Sequence, residues 1–194
     1  MMDFLTATEL AELNLARCGN DVRISRHALI LEPQYVQIGL HSRVDAFCVI
    51  SGNPKGVSIG AHVHLSAYVS ILGRDETTIE DFCTISVKCS LFTSSDDFSG
   101  IGLTNPTVPE EYRAVTDGPI RLKKHCILGC GSIVLPNVTI GRSAAVGALT
   151  LVKQNVDDFA IVAGTPMRRV GTRRTEHLDK EEAFLRRANN PVSS

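Results

Sequence analysis

Four arginines, Arg168, Arg169, Arg173 and Arg174, lie close together after the segment Ala163-Gly164-Thr165-Pro166-Met167. Clustered guanidinium groups suit phosphate, whose oxygens match their planar fork. A second chemistry-bearing stretch is TSSDDFSGIGLTNPTVPEEYRAVTDGP, in which the neighbouring carboxylates Asp96 and Asp97 are interleaved with Phe98 and Tyr112. Among the histidines, His64 in HVHLSAY and His125 in KHCILG are candidate general bases, because an imidazole oriented by a carboxylate accepts a proton near neutral pH. The six cysteines contain no Cys-x-x-Cys pair, which argues against a metal or redox motif.

The element that must position these groups repeats every six residues. Between 122 and 153 aliphatic residues fall at Leu122, Leu128, Val134, Ile140, Val146 and Val152, with smaller residues at Cys126, Ser132, Val138, Ala144 and Thr150. A helix or an alternating strand keeps a shorter period; hexapeptide repeats are a signature of the parallel β-helix. The same beat runs upstream through Ile38, Val44, Ile50, then Ile59, Leu65, Ile71, then Ile79, Ile85, Leu91. Each longer interval follows the third hexad of a set, so the insertions fall at one corner of a triangular prism. The expected fold is an all-β parallel β-helix whose coils are stable only when stacked, about 4.8 Å apart. Cys48, Cys83, Cys89 and Cys126 take the small inward place, where a thiol behaves as a small hydrophobe. They are expected to be reduced core residues of a cytoplasmic protein.

Thr6-x-x-Glu9 reads as a capping box, opening a helix expected to end near Cys18 with Gly19-Asn20 as the stop and to cap the open first coil. Residues 1–20 therefore form a capping element and 21–170 the prism, with an irregular first turn from Val22 to Tyr35 and regular coils from Ile38 to about Val156. The polar stretch 92–119 is expected to protrude as a functional arm. Residues 171–194 should supply a short helix over Thr175 to Arg187 and a frayed end, ANNPVSS. A net charge of −1 and 5% aromatic residues give a poor footprint for nucleic acid. No apolar run nears the ~20 residues that span a bilayer, and MMDFLTATEL lacks the pattern of a secretory signal. Small molecules are the expected partners.

The run from Ile120 through KHCILGCGSIVLPNVTIGRSAAVGALTLVK, followed by AGTPMRRV, resembles the hexapeptide-repeat acyltransferases. Within them it is most similar to galactoside/maltose O-acetyltransferase-like enzymes and sugar N-acetyltransferases, over roughly Val36 to Val170. The resemblance implies a left-handed β-helix, a homotrimer, and acetyl-CoA held in the groove between two subunits. It implies that Cys130 and Ala148 line the pantetheine and that Lys153 and Arg168 approach the nucleotide phosphates. Charge adds Arg169 and Arg173, and Gly131 permits close backbone approach. The sugar contact maps near Tyr68. Where galactoside-type enzymes carry an arm histidine as base, this chain has Asp96 followed by Asp97. A carboxylate with an ordinary pKa of about 3.9 is a weak base for an alcohol. His64 paired with Asp96 or Asp97 is therefore the leading catalytic pair, with His125 as second candidate. The aspartate tilts the expected acceptor toward a sugar amine, on a nucleotide-linked amino sugar for surface polysaccharide.

Three other readings compete. His41, His62 and His125 share one outward column, and trimeric carbonic anhydrases of the gamma class hold zinc on interfacial histidines of this prism. Phe82 interrupts the column, however, and that reading leaves AGTPMRR unexplained; no metal is expected. A non-catalytic trimeric binding protein would show no turnover of acetyl-CoA. Antibiotic acetyltransferases share the prism and differ in acceptor.

Overall fold

The aliphatic residues picked out by the beat of six, from Ile38 to Val152, are no more than 3% exposed. The structure, a computed structural model, describes residues 3–189. Three parallel sheets form the faces of a solenoid. The first face stacks Arg17–Cys18, Val36–Ile38, Val57–Ile59, Thr77–Ile79, Ile120–Leu122 and Val138–Ile140. The second stacks Arg23–Ile24, Arg43–Val44, His64–Leu65, Thr84–Ile85, Ile127–Leu128, Ala145–Val146 and Ala160–Ala163. The third stacks Leu29–Leu31, Val49–Ser51, Ser70–Leu72, Ser90–Phe92, Ile133–Val134 and Leu151–Val152. One strand from each face makes a coil, and a seventh coil begins with the bridge between Val156 and Ile140. The solenoid closes with Arg168–Thr172, antiparallel to Ala160–Ala163.

Each strand is two to five residues long, so the chain must turn sharply at every corner. Non-glycine residues in the left-handed region make those turns. At the first corner they are Asp21, His41, His62, Phe82, His125, Ser143 and Phe159; at the second, Phe47, Tyr68, Lys88 and Leu149, joined by Gly131. Such a conformation costs roughly 1–2 kcal/mol per residue. Bonds between coils offset part of that cost: the amides of His62, Phe82 and His125 donate to Leu40, Ala61 and Asp81 of the preceding coil. The small inward place also cross-links coils. The thiols of Cys48, Cys89 and Cys126 reach the carbonyls of Ser66, Gly129 and Gly141 at 3.1, 3.1 and 2.9 Å. Burial pushes the Cys48 thiol up to about 11, so it remains an inert core group.

Several expected boundaries shift. Helix α1 (Ala7–Glu12) has the capping box but ends well before Cys18, because Asn14 adopts φ 54° and turns the chain. Leu10, Leu13 and Leu15 pack on the core. The segment Val22 to Tyr35 is not irregular: it belongs to a coil that begins at Arg17 and keeps register with the next, as Arg23 opposite Arg43 and Ile30 opposite Ile50. Helix α2 covers Glu176–Asn189, and the remainder of the end expected to fray lies outside the described residues.

The arm leaves the third corner after Phe92. Its base is an antiparallel pair, Ser94–Ser95 with Thr116–Asp117. Arg74 clamps it, donating to Asp117 and Glu110 at 2.8 Å each.

Candidate active site

The second corner and the outward row of the second face form one continuous strip along the solenoid. At the corner, His27, Phe47 and Tyr68 stack with ring centroids 5.7 and 5.0 Å apart. Phe47 and Tyr68 remain half exposed, and Lys88, Gly131 and Leu149 continue the left-handed positions below them. Cys130 and Ala148 are exposed beside that lower part, and the Leu149 amide donates to the Cys130 carbonyl. Leu149 packs so near Gly131 that a Cβ there would meet its side chain at 2.8 Å. Where the resemblance puts a pantetheine, the strip therefore carries small residues at Cys130, Gly131 and Ala148 beside the exposed Leu149 side chain.

His64 does not pair with the arm carboxylates. Its Nε2 lies 2.9 Å from Asp45 Oδ2 on the preceding coil, and Asp45 also accepts from Arg43 Nε at 2.6 Å. Asp45 is 5% exposed. Burial alone would raise its carboxyl, but the bonds from Arg43 and His64 outweigh it and hold the group below the usual range. The arm leaves from the third corner, on another face of the solenoid from His64. Asp45 was legible as a charge in a row of small residues: it takes the place held by Ser66, Ser86, Gly129 and Gly147 on other coils.

Asp96 and Asp97 have different roles. Asp97 accepts from the Ser99 hydroxyl and amide and from the amides of Gly102 and Ile101. These bonds, the Ser99 hydroxyl foremost, hold its carboxyl far below the usual range, so Asp97 is a structural anchor of the arm and a poor proton acceptor. Asp96 is exposed and lines a hollow of about 200 Å³ with Arg74, Ser94, Pro106 and Arg113.

Nor is His125 at an open site. It is 8% exposed, its Nε2 meets Glu181 of α2 at 2.8 Å, and Lys124 pairs with the same carboxylate. Its ring belongs to the first-corner stack His41, His62, Phe82, His125, with centroids 5.0, 4.8 and 5.2 Å apart. Phe184 of α2 closes edge-on over His62 and Phe82. The column expected from sequence is thus a ring stack under a helix. Among the described residues no group of three or more His, Cys, Asp or Glu is arranged to hold a metal.

At the carboxyl end, Lys153 and Arg168 line one cavity of about 310 Å³ with Leu151, Gln154, Thr165, Pro166 and Met167. The other expected cations are engaged elsewhere. Arg169 pairs with Asp157 at 3.6 Å and donates to Thr172. Arg173 donates to the carbonyls of His125 and Ser143 at 2.7 and 3.4 Å, tying the approach to α2 onto the solenoid. Of the expected cations, Lys153 and Arg168 are the two that share a cavity.

The solenoid thus carries a half-exposed aromatic corner, a carboxylate-bearing arm and a cationic terminal cavity. No family model matches the chain. It is 36% identical over 183 residues to dTDP-4-amino-4,6-dideoxy-D-glucose acyltransferase of Escherichia coli, covering 94% of this chain and 95% of that one. AntD, an N-acyltransferase from Bacillus cereus solved with dTDP and 3-hydroxybutyryl-CoA, matches with a TM-score of 0.93 at 37% identity, over 98% of this chain and 100% of that one. Galactoside O-acetyltransferase of Lactococcus lactis is 34% identical over 139 residues, 71% of this chain and 63% of that one. The chain belongs to the hexapeptide-repeat acyltransferase family and is an acyltransferase. No helix among the described residues is long and apolar enough to cross a membrane.

Proposed function

We propose that the protein transfers an acyl group, acetyl or a short homologue, from its CoA thioester to the amine of a nucleotide-linked amino sugar. The observation that carries this is near full-length similarity to an enzyme named for a dTDP-amino sugar, together with AntD, solved as a serine variant with dTDP-4-amino-4,6-dideoxyglucose and CoA. Lys153 and Arg168 hold the phosphates of the donor, and Cys130, Gly131 and Ala148 line its pantetheine. Asp96 is the proton acceptor. The amine nitrogen forms a bond to the thioester carbonyl carbon, the carbon–sulfur bond breaks, and the nitrogen's proton passes through Asp96 to the departing sulfur. An amine needs far less help than a hydroxyl to reach its nucleophilic state, so a carboxylate suffices. Asp96 and Ser86 stand ten residues apart, the separation of the aspartate and the serine replaced in solved AntD variants. That match favours this pair over His64.

The working form in this reading is a homotrimer. The arm tip exposes Phe98 at 95% and Ile101 at 86%, apolar surface that a second copy would cover while bringing Asp96 to its neighbour's second corner. Free thiols at all six cysteines and the use of acyl-CoA fit a cytoplasmic enzyme serving surface polysaccharide synthesis. The test is thiol release from acetyl-CoA and longer acyl-CoAs with dTDP-4-amino-4,6-dideoxyglucose or a neutral galactoside as acceptor. Turnover confined to the amine is expected; turnover confined to the galactoside would overturn the reading.

A further inference from the structure

The outward row of the second face changes character along the solenoid. In register, coil by coil, it reads Arg23, Arg43, His64, Thr84, Ile127, Ala145, Ile161. The first three coils present cations and an imidazole; the last three present only aliphatic side chains. A phosphate-bearing ligand therefore finds partners on this face only at its amino-terminal end.

We infer that Arg23, Arg43 and His64 form the binding row for the acceptor's diphosphate, with the nucleobase against the neighbouring edges of Phe47 and Tyr68. The inference rests on the nucleotide-sugar reading above and names the residues that read the nucleotide.

Preorganisation supports the assignment. The ring of Phe4 lies beneath both guanidinium groups, 5.7 Å from that of Arg23 and 5.5 Å from that of Arg43, and an isolated bridge to Ser25 holds Phe4 in place. Stacked guanidinium groups lose little freedom when they bind an anion. Asp45 fixes Arg43 through Nε and His64 through Nε2, which orients both side chains. Arg23 is exposed. From Arg23 to His64 is two coil spacings, about 10 Å, enough for one contact to each phosphate with room for the groups on either side. Two anionic phosphates on the guanidinium groups of Arg23 and Arg43 make a charge-assisted set, with the His64 ring beside them.

Polarity along the axis agrees. With the diphosphate on coils one to three, coil four is the next along the axis, where Thr84, Ser86, Lys88 and Ser90 offer the sugar hydroxyls and an amine. The pantetheine strip at Cys130 and Ala148 begins on the next coil. Donor and acceptor then enter one corner from opposite ends and meet near Ser86.

Calorimetric titration of dTDP and, separately, of CoA tests the row. Arg23→Ala should weaken dTDP binding about tenfold or more, the worth of one charged hydrogen-bonding partner, and Arg23→Glu should weaken it further. Neither should change CoA binding. Tyr68→Ala should weaken dTDP while leaving inorganic pyrophosphate unaffected. If wild type binds dTDP and both Arg23 variants bind it equally well, the row is wrong although the nucleotide-sugar reading stands. If wild type binds no dTDP yet acylates a free amino sugar, the nucleotide-sugar reading fails and takes the row with it.

Discussion

Two ring ladders climb this solenoid, both built at corner turns and, His27 apart, at left-handed positions. At the first corner His41, His62, Phe82 and His125 stack; at the second, His27, Phe47 and Tyr68 do so. The backbone problem is the same at both corners, and flat rings solve it alike, since each ring covers the next and returns roughly 0.5–1.5 kcal/mol per pair. The difference lies in what covers them. Helix α2 closes the first with Phe184, His177 and Glu181. Among the described residues of the chain the second stays half exposed, beside a cationic row. A histidine with a neighbouring carboxylate therefore also occurs as a packing feature: on the covered corner His125 meets Glu181 under the helix.

The largest expected contrast is catalytic. Asp96→Asn should lower turnover about 100-fold or more, the usual contribution of a positioned proton acceptor, with binding of acyl-CoA unchanged. Glu181→Gln, which touches the only histidine candidate on the covered ladder, should leave turnover within about twofold. Steady-state kinetics on both variants decides the matter; equal losses would erase the distinction between the corners.

The prism itself was legible because its cause is strictly periodic. One aliphatic residue per face must enter the interior, so Leu122 and its successors announce the coils without any partner being known. Among the candidate site residues the sequence shows type and spacing but not company. Lys153 and Arg168 share one cavity and Asp96 is exposed on the arm, whereas the bonds of Asp97 to Ser99 and Gly102 depend on how the arm folds back. His64 was found with the wrong partner, since adjacency across coils follows from register and the arm's reach does not. Arg169 and Arg173 looked like phosphate ligands because proximity in sequence does not reveal alternation on Arg168–Thr172 or the carbonyls waiting at His125 and Ser143. The first coil was read as an irregular turn because its outward positions carry Leu29 and Leu31, which blur the inward beat.

Stability should separate the ladders next. Phe184→Ala removes the ring that closes over His62 and Phe82, and a half-exposed aromatic in such a contact should cost about 1–2 kcal/mol in urea unfolding. Tyr68→Ala on the bare ladder should cost less than that while impairing acceptor binding. The reverse order would mean that the bare ladder, and not the covered one, supports the fold.

At the donor end, Lys153→Ala removes one point charge from the cavity it shares with Arg168. A single exposed cation facing phosphate contributes modestly, so KM for acyl-CoA should rise about fivefold with kcat nearly unchanged. The analogous change at Arg173, a structural donor, should alter stability and leave KM alone.

The smallest effect is a pH dependence confined to the covered corner. Burial, then the neighbouring His41, pulls the His62 imidazole below its ordinary range; burial, then Arg173 and His125, does the same to His177. The folded protein therefore takes up these protons less readily than the unfolded chain. As pH falls below about 6.5, the unfolded chain binds more protons, so stability declines, and it levels off once the depressed folded values are passed. Glu181 acts lower. Burial opposes ionisation, but Lys124 and His125 outweigh it and hold the carboxyl down, so its contribution is present above the ordinary carboxylate range and is lost as pH falls through the folded value. Both histidines are partly open to solvent, which keeps their combined effect below about 1 kcal/mol. Urea midpoints at pH 7.5 and 5.5 should differ for wild type and differ less for His177→Gln. Equal midpoints for wild type at the two pH values would show that the covered ladder admits protons as freely as the unfolded chain.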